Sequence, residues 1–210
     1  MTDALLKLHA WLSPGYPVGA YTYSHGLEAA VEGGLVADAA TLADWGADCL
    51  THGAGRSDAI LLAHAWRAPK DEAIAELATA LAPSAERLLE AEAQGAAFAR
   101  VTGDAWGRAV APAPYPVAVG RAAAAHGIAL EPALTLYLQA FAANLVSATV
   151  RLVPLGQTEG QQVLAALSPT IEAVAAEALT APLDAIGGCA IGADIASMRH
   201  ETQTVRLFRS

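Results

Sequence analysis

Two residues with metal-ligand chemistry lie close together in the first quarter of the chain. Cys49 and His52 are three residues apart, a spacing that places both side chains on one face of a helix. A thiolate and an imidazole on one helical face could share a metal ion. Leu42 and Trp45 continue that face, however, and cysteine and histidine among apolar residues more often belong to a core. We therefore favour a core position and keep the metal site as the alternative.

A serine beside a histidine is the second candidate for chemistry. Ser24 and His25 could act as nucleophile and base in a small helical hydrolase. Neighbouring residues on a helix point in different directions, and the G-x-S-x-G elbow is missing around Ser24. The sequence also lacks the G-x-x-x-x-G-K-[ST] and G-x-G-x-x-G loops that bind nucleotides. We predict that Ser24 supports a turn or a helix start and that the chain has no catalytic residues.

The last thirteen residues, MRHETQTVRLFRS, differ in composition from the rest of the chain. They contain three of the chain's 12 basic residues, and Leu207 and Phe208 lie between two of them. Arginine and phenylalanine are enriched at the buried centres of interfaces. The composition predicts an anchoring tail that docks on the chain's own body or on a partner. A last helical turn with solvated arginines is the alternative.

The overall composition restricts the class of partner. Hydrophobic residues make up 54% of the chain and charged residues only 16%, which favours apolar surface covered by a partner or a second copy. The formal net charge of −9 argues against nucleic acid and against an anionic membrane surface. With two distant cysteines and no apparent signal peptide, we expect a reduced, cytoplasmic setting.

Apolar residues recur at helical spacing along the chain, and no stretch shows the period-two alternation of strands. We therefore predict an all-α fold, a single-domain bundle of roughly ten helices over 1–210, with possible flexible ends at 1–12 and 188–210. The long uncharged run at 132–150, in a predicted helix that ends at Arg151, carries polar residues and one apolar stripe, as in a buried helix of a soluble protein. The predicted helices cover 4–12, 20–31, a stretch after Asp38, 57–66, 71–81, a long stretch from Ser84, 117–126, 132–151, 158–167, 170–179 and 193–199.

Local signals predict how some of these helices begin. Thr158 and Gln161 have the spacing of a capping box, and Ser168 precedes a proline as a helix cap often does. On the long helix from Ser84, we expect the glutamates to face outward: Glu86, Glu90 and Glu92. Prolines at 111–116 predict an extended crossing between helices.

Three stretches resemble the urease accessory protein F (UreF) family. They are LSPGYPVGAYTYSHGLE at 12–28, RLVPLGQTEGQ at 151–161, and the tail MRHETQTVRLFRS. Glu159 stands where the family pattern has Asp, and Thr204 and Val205 stand where an aromatic residue is expected nearby. Because the stretches lie near both ends and in the third quarter, the resemblance spans the chain.

The resemblance implies a function in urease maturation. Members bind the accessory protein called D or H and the GTPase called G, and the assembly inserts nickel into apo-urease, with an internal channel as the route. The resemblance also implies a homodimer that is no enzyme and binds no cofactor, while the complex handles nickel and GTP. The alternative is a direct nickel-binding metallochaperone that uses Cys49, His52 or surface histidines.

Residues that match the family's motifs are the expected partner-binding set, and the tail and the first helix are expected to meet the D-type protein. The set is Pro17, Gly19, Tyr23, Ser24, Gly26, Glu28, Gln157, Gln161, Arg199, His200, Glu201, Arg206, Leu207, Phe208, Arg209 and Ser210.

Overall fold

A computed structural model describes residues 2–210 and confirms the all-α prediction. Within these residues there are eleven α-helices and two short 3-10 turns, Ala20–Thr22 and Leu183–Ala185. The helices are α1 Thr2–Trp11, α2 Leu27–Glu32, α3 Ala39–Thr51, α4 Ala54–Arg67, α5 Glu72–Ala80, α6 Ala85–Trp106, α7 Tyr115–Ala125, α8 Leu130–Leu152, α9 Gln157–Ala166, α10 Ser168–Ala178 and α11 Ile191–His200.

The helix α8 is the centre of the fold, because helices from both halves of the chain pack against it. Four residues of its predicted apolar stripe are buried, Leu134, Leu138, Phe141 and Leu145, whereas Leu152 is partly exposed. By length and composition alone α8 could cross a membrane, but 56% of its most apolar window is buried inside the protein. The apolar character of α8 therefore matches its place in the core.

Side-chain caps explain where several helices begin. Asp38 accepts a hydrogen bond from the Thr41 N–H at 2.9 Å and so caps the first turn of α3. The capping predictions at Thr158 and Ser168 are wrong. The Glu159 carboxylate accepts from the Gly156 N–H at 2.9 Å, so α9 begins one residue earlier than expected. Ser168 is already helical, because α10 follows α9 without the extended residue that a side-chain cap requires.

The predicted helix at 20–31 is also wrong. The structure has a 3-10 turn, an extended segment and then the short helix α2. His25 and Gly26 both have positive φ, at 59° and 79°, which breaks the helical path. A Cβ atom at Gly26 would lie 2.5 Å from the Ser197 backbone nitrogen, so α11 packs directly on the Gly26 backbone. Apolar spacing carries no signal for this tertiary contact.

A second close backbone approach joins α6 to the proline-containing segment before α7. A Cβ atom at Gly95 would lie 1.8 Å from the Ala113 carbonyl oxygen. That segment is extended up to Pro114, as its prolines predict, although Pro116 belongs to the first turn of α7. The absence of a side chain at Gly95 thus sets the distance between α6 and the crossing segment.

We expect Gly95→Ala to lower the free energy of unfolding by about 2–4 kcal/mol, because backbone must move to admit the methyl group. Gly103→Ala in the same helix is the matched control. Its Cβ would meet Ala109 at an ordinary 3.4 Å. There the better helix propensity of alanine should raise stability by about 0.5–1 kcal/mol. Urea unfolding measures both, and equal effects at the two glycines would contradict the close approach.

Candidate functional site

Three stretches that are far apart in the sequence meet at one side of the fold. They are the loop that leads into α2, the first turns of α6, and α11 with the tail that follows it. The contacts are polar and mostly buried. We call the tail residues 206–210, with Ser24, Glu28, Glu86 and His200, the tail clasp.

The Glu28 carboxylate is the main acceptor of the tail clasp. It receives the backbone N–H of Leu207 at 2.7 Å and that of Phe208 at 2.8 Å. The His200 ring nitrogen Nε2 lies 3.3 Å from the same carboxylate. Glu28 is only 8% exposed and His200 is fully buried. A short helix, α2, therefore presents a charge that holds both α11 and the tail.

The end of the tail is fixed by a pair of serines. The carbonyl oxygen of Ser210 accepts hydrogen bonds from the Ser24 N–H, at 2.8 Å, and from the Ser24 hydroxyl. Ser24 also accepts a longer bond from the Glu28 N–H at 3.3 Å, which confirms its predicted role at a turn and helix start. Ser24 and Ser210 have no exposed surface.

Glu86 adds a second carboxylate from α6. It contacts the other ring nitrogen of His200, Nδ1, at 2.6 Å, and it forms an ion pair with Arg206. The imidazole thus lies between two carboxylates, Glu28 and Glu86. Nearby, the Glu201 carboxylate accepts from the Ala85 N–H at 2.7 Å and so satisfies the start of α6.

Packing completes the clasp around the phenylalanine. Phe208 is 3% exposed and belongs to the main core. The Arg151 guanidinium carbon lies 4.3 Å from the Phe208 ring centre, and that of Arg209 lies 5.8 Å from the Tyr23 ring centre. The structure therefore places the predicted anchoring tail on the chain's own body.

Beneath the tail lies a buried charge network around Glu90. This carboxylate contacts Arg87, the His25 Nε2 at 3.0 Å, the Gln94 amide at 2.8 Å and the Ser210 hydroxyl at 2.7 Å. Burial alone would raise the pKa of Glu90, but Arg87 and the other donors lower it to about 2. Burial lowers the pKa of His25, and the Arg87 charge lowers it further.

The charge network borders a cavity of about 150 Å³. On its far side, the Tyr137 hydroxyl donates to the Asp58 carboxylate at 2.8 Å. Burial raises the pKa of Asp58 to about 6, although Arg87 and the Tyr137 hydrogen bond act in the opposite direction. The cavity therefore contains a carboxyl group that is poised to change its charge close to neutral pH.

The expected partner-binding residues divide by exposure, and their role toward a partner stays a prediction. Seven are buried: Tyr23, Ser24, Gly26, Glu28, His200, Phe208 and Ser210. Eight are exposed: Pro17, Gln157, Gln161, Arg199, Glu201, Arg206, Leu207 and Arg209, while Gly19 is half-buried. Most of the set meets in or beside the tail clasp. Gln157 and Gln161 instead lie on α9, which packs against α3, α8 and α10.

Sequence reasoning missed the partners that α6 supplies. The outward orientation predicted for Glu86 and Glu90 is wrong, whereas Glu92 is exposed as expected. Glu90 is 2% exposed and the Glu86 side chain only 16%, because Arg87 contacts Glu90 while His200 and Arg206 contact Glu86. Charged side chains are usually expected to face solvent, and the spacing of the two glutamates does not indicate that buried partners compensate them. Asp58 and Tyr137 lie 79 residues apart and were missed for the same reason.

The structure separates the two candidate metal ligands. Cys49 is buried, as favoured, and burial raises the pKa of its thiol to about 12. His52 is exposed at the end of α3, so its predicted core position is wrong. Within residues 2–210, no group of three or more His, Cys, Asp or Glu side chains is arranged to hold a metal ion. The Ser24 hydroxyl is buried and already donates to Ser210, which disfavours the hydrolase reading.

The described residues thus form an all-α protein in which a buried polar cluster holds the tail. The family model described as UreF matches residues 36–168. The urease accessory protein UreF of Cereibacter sphaeroides strain KD131 is 60% identical over 210 residues, the full length of both chains. That of Roseobacter denitrificans is 54% identical over 211 residues, covering 100% of this chain and 95% of the relative.

The chain therefore belongs to the UreF family of urease accessory proteins, as its motifs indicated. Membership gives it a role in urease maturation as an accessory protein.

We expect Glu28→Gln to loosen the tail while the helices stay folded. The amide can accept only one of the two tail N–H groups, and a hydrogen bond to a charged group contributes about 1.5–3 kcal/mol. Hydrogen exchange at Leu207 and Phe208 should accelerate by roughly 10- to 100-fold. Glu32→Gln, at the exposed end of the same helix, is the control. Unchanged protection at both amides in the Glu28 variant would show that the carboxylate does not hold the tail.

We expect Asp58→Asn to stabilise the protein at pH 8 by about 1–3 kcal/mol, since one pKa unit corresponds to about 1.4 kcal/mol. The folded pKa is raised from 3.8 to about 6, so the unfolded chain loses this proton first as pH rises, and stability falls between pH 4 and 6. The gain from asparagine should disappear near pH 4. Urea unfolding at both pH values tests this, with exposed Asp44→Asn as control. A variant less stable than the parent at pH 8 would contradict it.

Proposed function

We propose that this chain is the scaffold of a urease maturation complex. It joins the D- or H-type accessory protein to the nickel GTPase G, and the assembly delivers nickel to apo-urease. The observation that carries the proposal is the tail clasp. It fixes the inner side of the tail and thereby holds the outer side in one arrangement, ready for a partner.

The outer side of α11 and the tail carries apolar residues. Ile191, Ile195 and Met198 follow one another at steps of four and three, which is one stripe of the helix. They are 67%, 44% and 52% exposed, and Val205 and Leu207 in the tail are 83% and 64% exposed. We call these five residues the outer tail face. Apolar side chains grouped on a surface are typical of a protein contact.

The outer tail face suits the D-type partner best. Three exposed arginines lie within two sequence positions of the residues of this face on a chain whose net charge is −9: Arg199, Arg209 and Arg206, which pairs with Glu86. Arginine at the border of an apolar patch is typical of a specific interface. We further propose that nickel and GTP are handled by the other components, that the chain acts as a homodimer, and that the complex works in the cytoplasm.

The proposal predicts that the outer tail face can be altered without loss of the fold. Leu207→Ala combined with Val205→Ala should weaken binding of the D-type accessory protein by at least about tenfold, because buried apolar side chains contribute about 1 kcal/mol or more each. Leu207 contacts the clasp through its backbone N–H, which alanine keeps, and the Val205 side chain is 83% exposed.

The measurement is calorimetric titration of the chain with the D-type protein, followed by light scattering after the GTPase and GTP are added. The control is Leu35→Ala, because Leu35 is 52% exposed and lies outside the outer tail face. A stable assembly that contains all three proteins supports the scaffold function. If the chain ignores both partners, the scaffold function is wrong. If the parent chain binds the D-type protein and the double variant binds it equally well, the scaffold function stands but the outer tail face is not the binding surface.

A further inference from the structure

The cavity beside the charge network opens at the protein surface. Its mouth is formed by Pro14, Tyr21 and Ser147, which are exposed, while its interior reaches Asp58 and Glu90. The volume of about 150 Å³ matches a ligand of about six non-hydrogen atoms. The cavity is separate from the outer tail face, and the scaffold function proposed above does not use it.

The charges that line the cavity do not balance. Glu90 and Arg87 form an ion pair and neutralise each other. His25 is neutral at pH 7, because burial and the Arg87 charge lower its pKa. Asp58 accepts a hydrogen bond from Tyr137 and forms no salt bridge among residues 2–210. The charge of Arg87 thus acts on both Glu90 and Asp58, and the lining carries one net negative charge at neutral pH.

Aromatic rings lie beside this carboxylate. Tyr115 and Tyr137 line the cavity, with ring centres 5.7 Å apart, and Tyr21 lies at its mouth. The faces of tyrosine rings attract cations, and they also pack against short alkyl groups. The lining thus offers a carboxylate for a positive group and apolar surface for a short carbon chain.

We propose that this cavity is a binding site for a small organic cation with a single charge, a primary alkylammonium of about four to six non-hydrogen atoms. The ammonium group donates to Asp58 and supplies the missing positive charge. Its alkyl chain lies among the tyrosines and the alanine side chains of α8. A divalent metal ion fits less well, because no group of three His, Cys, Asp or Glu side chains within residues 2–210 is arranged to coordinate it.

Binding of the ammonium group should weaken as pH falls through about 6. Asp58 faces Tyr137 of α8, Tyr115 of α7, Arg87 and Glu90 of α6, and His25 of the loop before α2. Burial raises the pKa of both tyrosines above 10, and the pKa of Glu90 is about 2, so these groups keep their charge between pH 5 and 8. Protonation of Asp58 or of His25 opposes binding of a cation.

The test is calorimetric titration of the full-length chain with n-butylammonium chloride, and with 1-butanol as the neutral ligand of the same size. We expect a dissociation constant on the order of 1 mM for the ammonium, given the small number of ligand atoms, and at least tenfold weaker binding of the alcohol. Asp58→Asn should reduce ammonium affinity at least tenfold. Asp44→Asn, which changes an exposed aspartate by the same atoms, should leave it unchanged.

Several outcomes would overturn the proposal. Equal binding of butanol and butylammonium would show an apolar pocket without charge selection. Retained affinity in Asp58→Asn, with the fold confirmed by its unfolding curve, would place the cation elsewhere. Tighter binding of Ni²⁺ than of butylammonium, lost in the same variant, would make the cavity a metal site. Each titration uses the chain without partners, so the results do not depend on whether the scaffold function is correct.

Discussion

One buried carboxylate, that of Glu28, needs hydrogen-bond donors. The loop before α2, helix α11 and the tail are held in place by meeting this need. Glu28 comes from a helix of six residues, too short to be stable in isolation. Its charge would be strongly destabilising in this position without donors. Two tail N–H groups supply them, and the backbone contact of Gly26 with Ser197 brings α11 close enough for the His200 ring to reach the same carboxylate. The loop, α11 and the tail thus require one another.

The tail and the interior of the protein are connected through a second carboxylate. Ser210 and Arg87 contact the same oxygen of Glu90, and His25 contacts the other. Because a buried ion pair tolerates the loss of a partner poorly, the position of the tail bears on the arrangement of Arg87 at the cavity wall. The tail that carries the surface proposed for the D-type partner is therefore hydrogen-bonded to a residue that lines the proposed cation site.

The sequence predicted the helices far better than the site. Ten of the eleven predicted helices are present near their expected bounds, because apolar spacing and proline act locally. The exception, 20–31, is broken by a contact with Ser197, which is distant in sequence. The clasp joins residues 114 to 186 positions apart, and no local pattern encodes such pairs. The family motifs identified the segments that meet, but composition could not show that their acidic partners on α6 turn inward.

The carboxyl groups of Glu90 and Asp58 have very different pKa values because their neighbours differ. Both border one cavity, yet donors hold the pKa of Glu90 near 2, while burial raises that of Asp58 to about 6. Glu90 therefore favours folding as an ion, whereas ionised Asp58 opposes it. Structural carboxylates are usually compensated, and an uncompensated one beside an open cavity is the pattern of a binding group. The ion pair with Arg87 explains why Glu90 is charged in the folded protein, and the proposed cation would give ionised Asp58 a role.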